Sequence, residues 1–69
     1  MKEISISTEY IKLDQFLKLV NVVQTGGHAK IMIADGLIKV NDKKVFERGK
    51  KLRKNDIVDI ENFDKFIII

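Results

Sequence analysis

The sequence predicts an α+β chain in which a pair of short helices, read as a helical hairpin, packs against a small sheet. Three observations predict it. An opening stretch alternates apolar and polar residues, a following stretch carries apolar residues at helical spacing, and the second half consists of short apolar runs separated by turn residues. With 69 residues, 45% of them hydrophobic, the chain closes only one core, so a single domain over residues 1–69 is expected. At this size only about 60% of the unfolded chain's surface is buried on folding. No cysteine is present, so no disulfide adds to that core.

In Glu3-Ile4-Ser5-Ile6-Ser7-Thr8 the period of two places Ile4 and Ile6 on one face of an opening edge strand. Leu13, Phe16, Leu17 and Val20 then fall at i, i+3, i+4 and i+7, the stripe of an amphipathic helix from about Lys12 to Val22, with Asp14 favourably placed near its positive end. Thr25 is a suitable N-cap for a second helix whose inner face is Ala29, Met32 and Ile33, and Gly36 is expected to end it in a left-handed conformation. Leu37–Val40 reads as a strand with Ile38 and Val40 inward. Asn41-Asp42 has the chemistry of a tight turn, Lys43–Phe46 returns, and Arg48-Gly49 turns again. After Asn55-Asp56 comes the clearest strand, Ile57–Ile60. The tail Phe66–Ile69 is too apolar to remain in solvent and is expected to pair in the sheet, against the first strand.

Several function classes are disfavoured by composition. Without cysteine and with a single histidine, His28, the chain lacks the usual ligands of a structural zinc site, so no metal and no cofactor are expected. The longest apolar runs, Ile31–Ala34 and Phe66–Ile69, fall far short of the roughly 20 residues that span a bilayer. The start Met1-Lys2-Glu3-Ile4-Ser5 shows no signal-peptide apolar stretch, and a cytoplasmic location is expected. Ser5, Ser7, Thr8, Tyr10, Thr25 and His28 do not assemble a nucleophile with its base. The core of so small a domain is not expected to hold a metabolite pocket of about 300 Å³ or more. The chain is not expected to be an enzyme or to take a small-molecule substrate.

Charge gives the positive signal. The overall balance is only +3, yet between Lys39 and Lys54 eight basic residues (Lys39, Lys43, Lys44, Arg48, Lys50, Lys51, Arg53, Lys54) face only Asp42 and Glu47, a local +6, while the rest of the chain carries −3. Such a concentration is the footprint of a surface that meets a polyanion. Gly26-Gly27 admits two readings. It is either a tight turn between the helices or a helix start whose uncovered N–H groups, at the positive end of the dipole, hold a phosphate. Should the two helix starts lie side by side, Lys12, the amides of Gly26 and Gly27, His28 and Lys30 form one anion site.

Four blocks resemble a known family: Lys12-Leu13-Asp14-Gln15-Phe16-Leu17, Thr25-Gly26-Gly27-His28-Ala29-Lys30, Ile33-Ala34-Asp35-Gly36-Leu37-Ile38-Lys39-Val40-Asn41, and Arg48-Gly49-Lys50-Lys51-Leu52 through Asn55-Asp56-Ile57-Val58. In this order and spacing they are similar to the S4-type RNA-binding domain, built on the alpha-L motif, and to its small stand-alone bacterial members. The resemblance covers roughly residues 8 to 61. It implies two helices packed on a small, mainly antiparallel sheet. Lys12 stands where the family commonly has arginine, Gly26-Gly27 where it often has basic side chains, and Asp42 where it has a turn glycine.

What the resemblance implies is binding of structured RNA, ribosomal RNA or the ribosome, in ribosome assembly or translation. Carried over residue by residue, it points to Lys12, His28, Lys30, Lys39, Asn41, Lys43 and Lys44. The charge count adds Arg48, Lys50, Lys51, Arg53 and Lys54. Phosphate and shape contacts are expected to dominate, because the deep major groove of an RNA helix excludes side chains. Stacking ranks below them. Of Tyr10, Phe16, Phe46, Phe63 and Phe66, only Phe46 sits in the lysine-rich run. A monomer is expected. The alternative reading is a protein-interaction adaptor that pairs through the apolar Phe66–Ile69 strand. Attachment to an acidic membrane through the lysine-rich loops is disfavoured, since no amphipathic helix carries them.

Overall fold

A computed structural model describes residues 1–69. Seven strands and two helices follow one another as β1 (Lys2–Ile4), β2 (Ile11–Lys12), α1 (Leu13–Leu19), α2 (Gly26–Ala34), β3 (Ile38–Val40), β4 (Lys43–Lys44), β5 (Lys51–Leu52), β6 (Ile57–Ile60) and β7 (Asp64–Ile68). Five strands form one sheet in the order β1-β7-β6-β3-β4, and β2 with β5 forms a separate two-stranded ribbon. Only β1 and β7 run parallel. The fold is therefore α+β with a mostly antiparallel sheet, as expected.

Alternation decides which face of the sheet is covered. Ile38 and Val40 of β3 stand opposite Ile60 and Val58 of β6, and Val58 stands opposite Phe66 of β7, so one register gathers these residues on one face. All of them are buried, as are Leu13, Phe16 and Leu17 of α1 and Ala29 and Ile33 of α2. Phe16 meets Phe66 edge to face at 5.6 Å, joining helix to sheet. Lys39, Lys44, Asp59 and Lys65 alternate to the other face.

Several boundaries differ from the sequence reading. The first strand ends at Ile4, although Ile6 stays buried and donates its N–H to the Ile69 carbonyl at 3.1 Å. The first helix begins at Leu13 because Lys12 is extended and pairs with Lys51, and it stops at Leu19, with Asn21 left-handed at φ 63°. Gly26 and Gly27 form the first turn of α2, not a linking turn. Thr25 caps that helix, accepting from the His28 N–H at 3.1 Å, and Gly36 is left-handed at φ 73°, both as expected. The returning strand stops at Lys44, short of Phe46. The Lys51–Leu52 strand was not foreseen.

The tail pairs with the first strand as anticipated, but β7 also pairs with β6. Both of its edges are occupied. The adaptor reading fails on this point, since a strand already bonded on both sides offers no row of free N–H and C=O groups to a partner sheet.

Candidate functional site

The basic segment is docked against the start of α1. The Leu13 N–H donates to the Lys50 carbonyl at 2.8 Å and the Asp14 N–H to the Arg48 carbonyl at 3.0 Å. These two bonds satisfy orphan donors of a helix whose N-cap, Lys12, supplies no side-chain bond. In the ribbon below, Ile11 pairs with buried Leu52 and Lys12 with Lys51. Packing of Leu52 thus fixes where Lys50, Lys51 and Arg53 emerge.

Arg48 links the two helix starts. Its Nε lies 3.5 Å from Asp14 Oδ2, while a Cβ at Gly26 would stand 3.2 Å from its Nη2. The helix starts are therefore neighbours, the condition under which the sequence placed an anion site. No protein group accepts from the N–H of Gly26 or Gly27. Lys30 follows Gly26 by four residues and shares its helix face. His28 is exposed beside them.

Two cross-strand lysine pairs mark this surface. Lys12 stands opposite Lys51 and Lys39 opposite Lys44. Like charges directly opposite one another destabilise a sheet. Asp59 stands opposite Lys39 on its other side, so a carboxylate offsets the Lys39–Lys44 pair, whereas no ion pair involves Lys12 or Lys51. The ion pairs are Lys2 with Asp64, Arg48 with Asp14 and Lys65 with Asp59. Among the basic residues of Lys39–Lys54, only Arg48 is paired. The Lys51 ammonium and the Arg53 guanidinium lie 4.9 and 5.8 Å from the Tyr10 ring centroid, an arrangement that concentrates cations at the ribbon. Lys44 and Lys50 line a common depression of about 270 Å³. Lys44 and Lys50 thus adjoin, and with Lys12, Lys51 and Arg53 of the ribbon they make up a basic strip.

Other site residues are placed differently. Lys39 and Lys44 border a depression of about 400 Å³ that also contains Asp59 and Glu61, so carboxylates adjoin both. Lys43 is exposed opposite Val40 at the short edge strand. Lys54 sits in the turn into β6, where Asn55 donates to the Ile68 carbonyl at 2.7 Å, and no contact ties it to the strip. Asn41 is engaged internally: left-handed at φ 52°, it donates from Nδ2 to Asp56 Oδ1 at 3.0 Å and accepts the Ile57 N–H at 3.0 Å. The sequence reading missed Asp14 as the partner of Arg48 and Tyr10 as the seat of two cations. Neither contact has a local sequence signal, because each joins segments far apart in the chain. No cluster of three metal-ligating side chains occurs, and no helix is long and apolar enough to cross a membrane.

The family model described as "S4 domain" matches residues 4–69. The chain belongs to the S4 domain family. This S4 domain is 47% identical over 66 residues to the "Probable ribosome maturation protein RlbA" of Bacillus subtilis (strain 168), covering 96% of this chain and 93% of that relative. Its fold is similar to that in the crystal structure of the 30S ribosomal protein S4e from Thermoplasma acidophilum, with a TM-score of 0.61 at 24% identity over 86% of the chain. The chain spans 31% of that protein's length, and the likeness is one of fold. The family match extends the resemblance, quoted above for residues 8 to 61, to nearly the whole S4 domain.

Proposed function

We propose that this S4 domain binds structured RNA, ribosomal RNA in particular, through the basic strip and the adjoining helix starts, and acts in ribosome maturation in the cytoplasm. It works as one domain and as a binding protein without catalytic chemistry. The observation that carries the reading is the facing pair of Lys12 with Lys51, which has no ion-pair partner and lies beside Lys50 and Arg53. Their mutual repulsion is a cost to the free fold that a bound polyanion relieves. The similarity to a ribosome maturation protein supports the choice of RNA.

In this mechanism the strip tracks phosphates on the outside of a folded RNA. The lysines act as point charges, and Arg48, held by Asp14 on one side, offers its guanidinium to a phosphate at the start of α2, where the Gly26 and Gly27 amides are open. Recognition of this kind reads shape and backbone more than base identity.

The test is a charge reversal at Lys50, Lys51 and Arg53, all exposed. The glutamate triple variant is expected to lose most affinity for ribosomal RNA while its circular dichroism stays native. Wild-type binding should fall with salt at a log–log slope of about −4, the value for about five neutralised phosphates. Unchanged affinity in the folded variant would remove the assignment.

A further inference from the structure

Four of the five aromatic rings have an aromatic or cationic neighbour. Phe16 and Phe66 lie in the core and meet edge to face. Phe63 is exposed, but its ring lies along that of Phe66 with centroids 6.4 Å apart. The face of Tyr10 carries the cations of Lys51 and Arg53. Phe46 alone has neither an aromatic ring nor a cation stacked on it, and it is 62% exposed.

A single exposed phenylalanine is ordinary on a protein surface. Its neighbours set this one apart. Phe46 shares its depression of about 270 Å³ with Lys44 of β4 and Lys50, which precedes β5. Glu47 also borders the depression, which leaves two cations against one carboxylate there. The ring is seated as well. Its Cε1 lies 3.5 Å from where a Cβ would stand on Gly36, a residue whose φ of +73° disfavours any side chain. The depression is smaller than the roughly 300–1,000 Å³ of metabolite clefts, so one planar group fits it better than a whole folded ligand.

We propose that Phe46 is a stacking seat for one unpaired base of the bound RNA, with Lys44 and Lys50 on the phosphates to either side of that nucleotide. This rests on the RNA-binding reading above and adds the substrate class: structured RNA with a bulged or looped-out nucleotide beside its helix. Such a base has already left its stack, and an exposed ring gives its π-face a partner without demanding a particular base. Phosphates flanking it carry the charge that the two lysines lack a partner for.

The test uses two RNAs, a blunt duplex of about 16 base pairs and the same duplex with one unpaired adenosine. The chain has no tryptophan, so Phe46→Trp places a single tryptophan at the seat, excited apart from Tyr10 at the red edge of the absorption. Its emission is expected to be quenched by the bulged duplex and not by the blunt one. Phe46→Ala should weaken binding of the bulged duplex about tenfold and leave the blunt duplex and the salt slope unchanged, while Phe46→Tyr keeps wild-type affinity. An equal loss on both RNAs, or equal quenching by both, overturns the seat. So does wild-type affinity of Phe46→Ala for both, which leaves the ring to a protein contact. A wild-type chain that binds neither duplex overturns the RNA reading itself, an outcome distinct from the others.

Discussion

Gly26 and Gly27 are adjacent, yet lacking a side chain means something different at each. A Cβ on Gly26 would come within 3.2 Å of Arg48 Nη2, so this position keeps clear the space that the guanidinium occupies. A Cβ on Gly27 would meet only Thr25 Oγ1, at 3.9 Å, an ordinary contact. Both residues have helical backbone in α2, where glycine costs about 0.5–1 kcal/mol relative to alanine in a helix interior. Gly27→Ala is therefore expected to stabilise the chain by about 0.5 kcal/mol in a urea melt, with RNA affinity kept. Gly27→Glu places a carboxylate among the open amides and should weaken RNA binding with the helix intact. Equal affinities for the two variants would show that these amides meet no anion.

Among the elements, β1 depends on an exposed ion pair. It is three residues long, lies at the sheet edge, and is joined to β7 by parallel pairing and by the ion pair of Lys2 Nζ with Asp64 Oδ2 at 3.0 Å. The hydrogen bond from Lys2, then the Lys65 backbone N–H, holds the Asp64 carboxyl below its ordinary value. A carboxyl lowered in the folded state adds stability above the ordinary carboxylate range, and that contribution disappears as the pH falls through the folded value. Acidification should thus loosen β1 before the central strands. Amide exchange checks this: β1–β7 protection relative to β6 should fall on acidification in the wild type, and Asp64→Asn should show the loosened pattern already at neutral pH. Identical ratios in the two proteins at both pH values would rule the ion pair out as the cause. At the opposite edge, β4 is only Lys43–Lys44, and its shortness and charge discourage strand addition.

The whole molecule has a radius of gyration of 10.6 Å and one cluster of 14 buried hydrophobic residues. A chain of 69 residues is expected to be stable by about 3–10 kcal/mol. Phe16 is fully buried and its ring joins α1 to β7 through Phe66, so Phe16→Ala should cost about 3–5 kcal/mol. That is a large share of the total, and the variant should be substantially unfolded at 37 °C by circular dichroism. A melting midpoint like that of the wild type would show that the helices hold to the sheet without this contact. The same core sets the geometry of the basic strip, because buried Leu52 and Leu13 anchor the two segments that bring Lys51 and Lys12 face to face.

What depends on neighbours along the chain is legible without the fold. The apolar stripe of Leu13, Phe16 and Leu17 marked the buried face of α1, Thr25 and Gly36 marked the limits of α2, and the apolar residues of Ile57–Ile60 marked a strand. The charge concentration in Lys39–Lys54 was equally legible, because counting requires no fold. Tertiary structure alone decided what those pieces meet. The β2–β5 ribbon has two residues per strand, too few to show a period, and forms because Leu52 enters a core assembled from other segments. The Asp14–Arg48 pair, the engagement of Asn41 with Asp56, and the second partner of β7 likewise join distant stretches of chain. Local periodicity reports which face of an element is apolar. Which faces and charges come together is settled by burial in the assembled core, where contacts between distant residues offset the entropy of closing the chain between them.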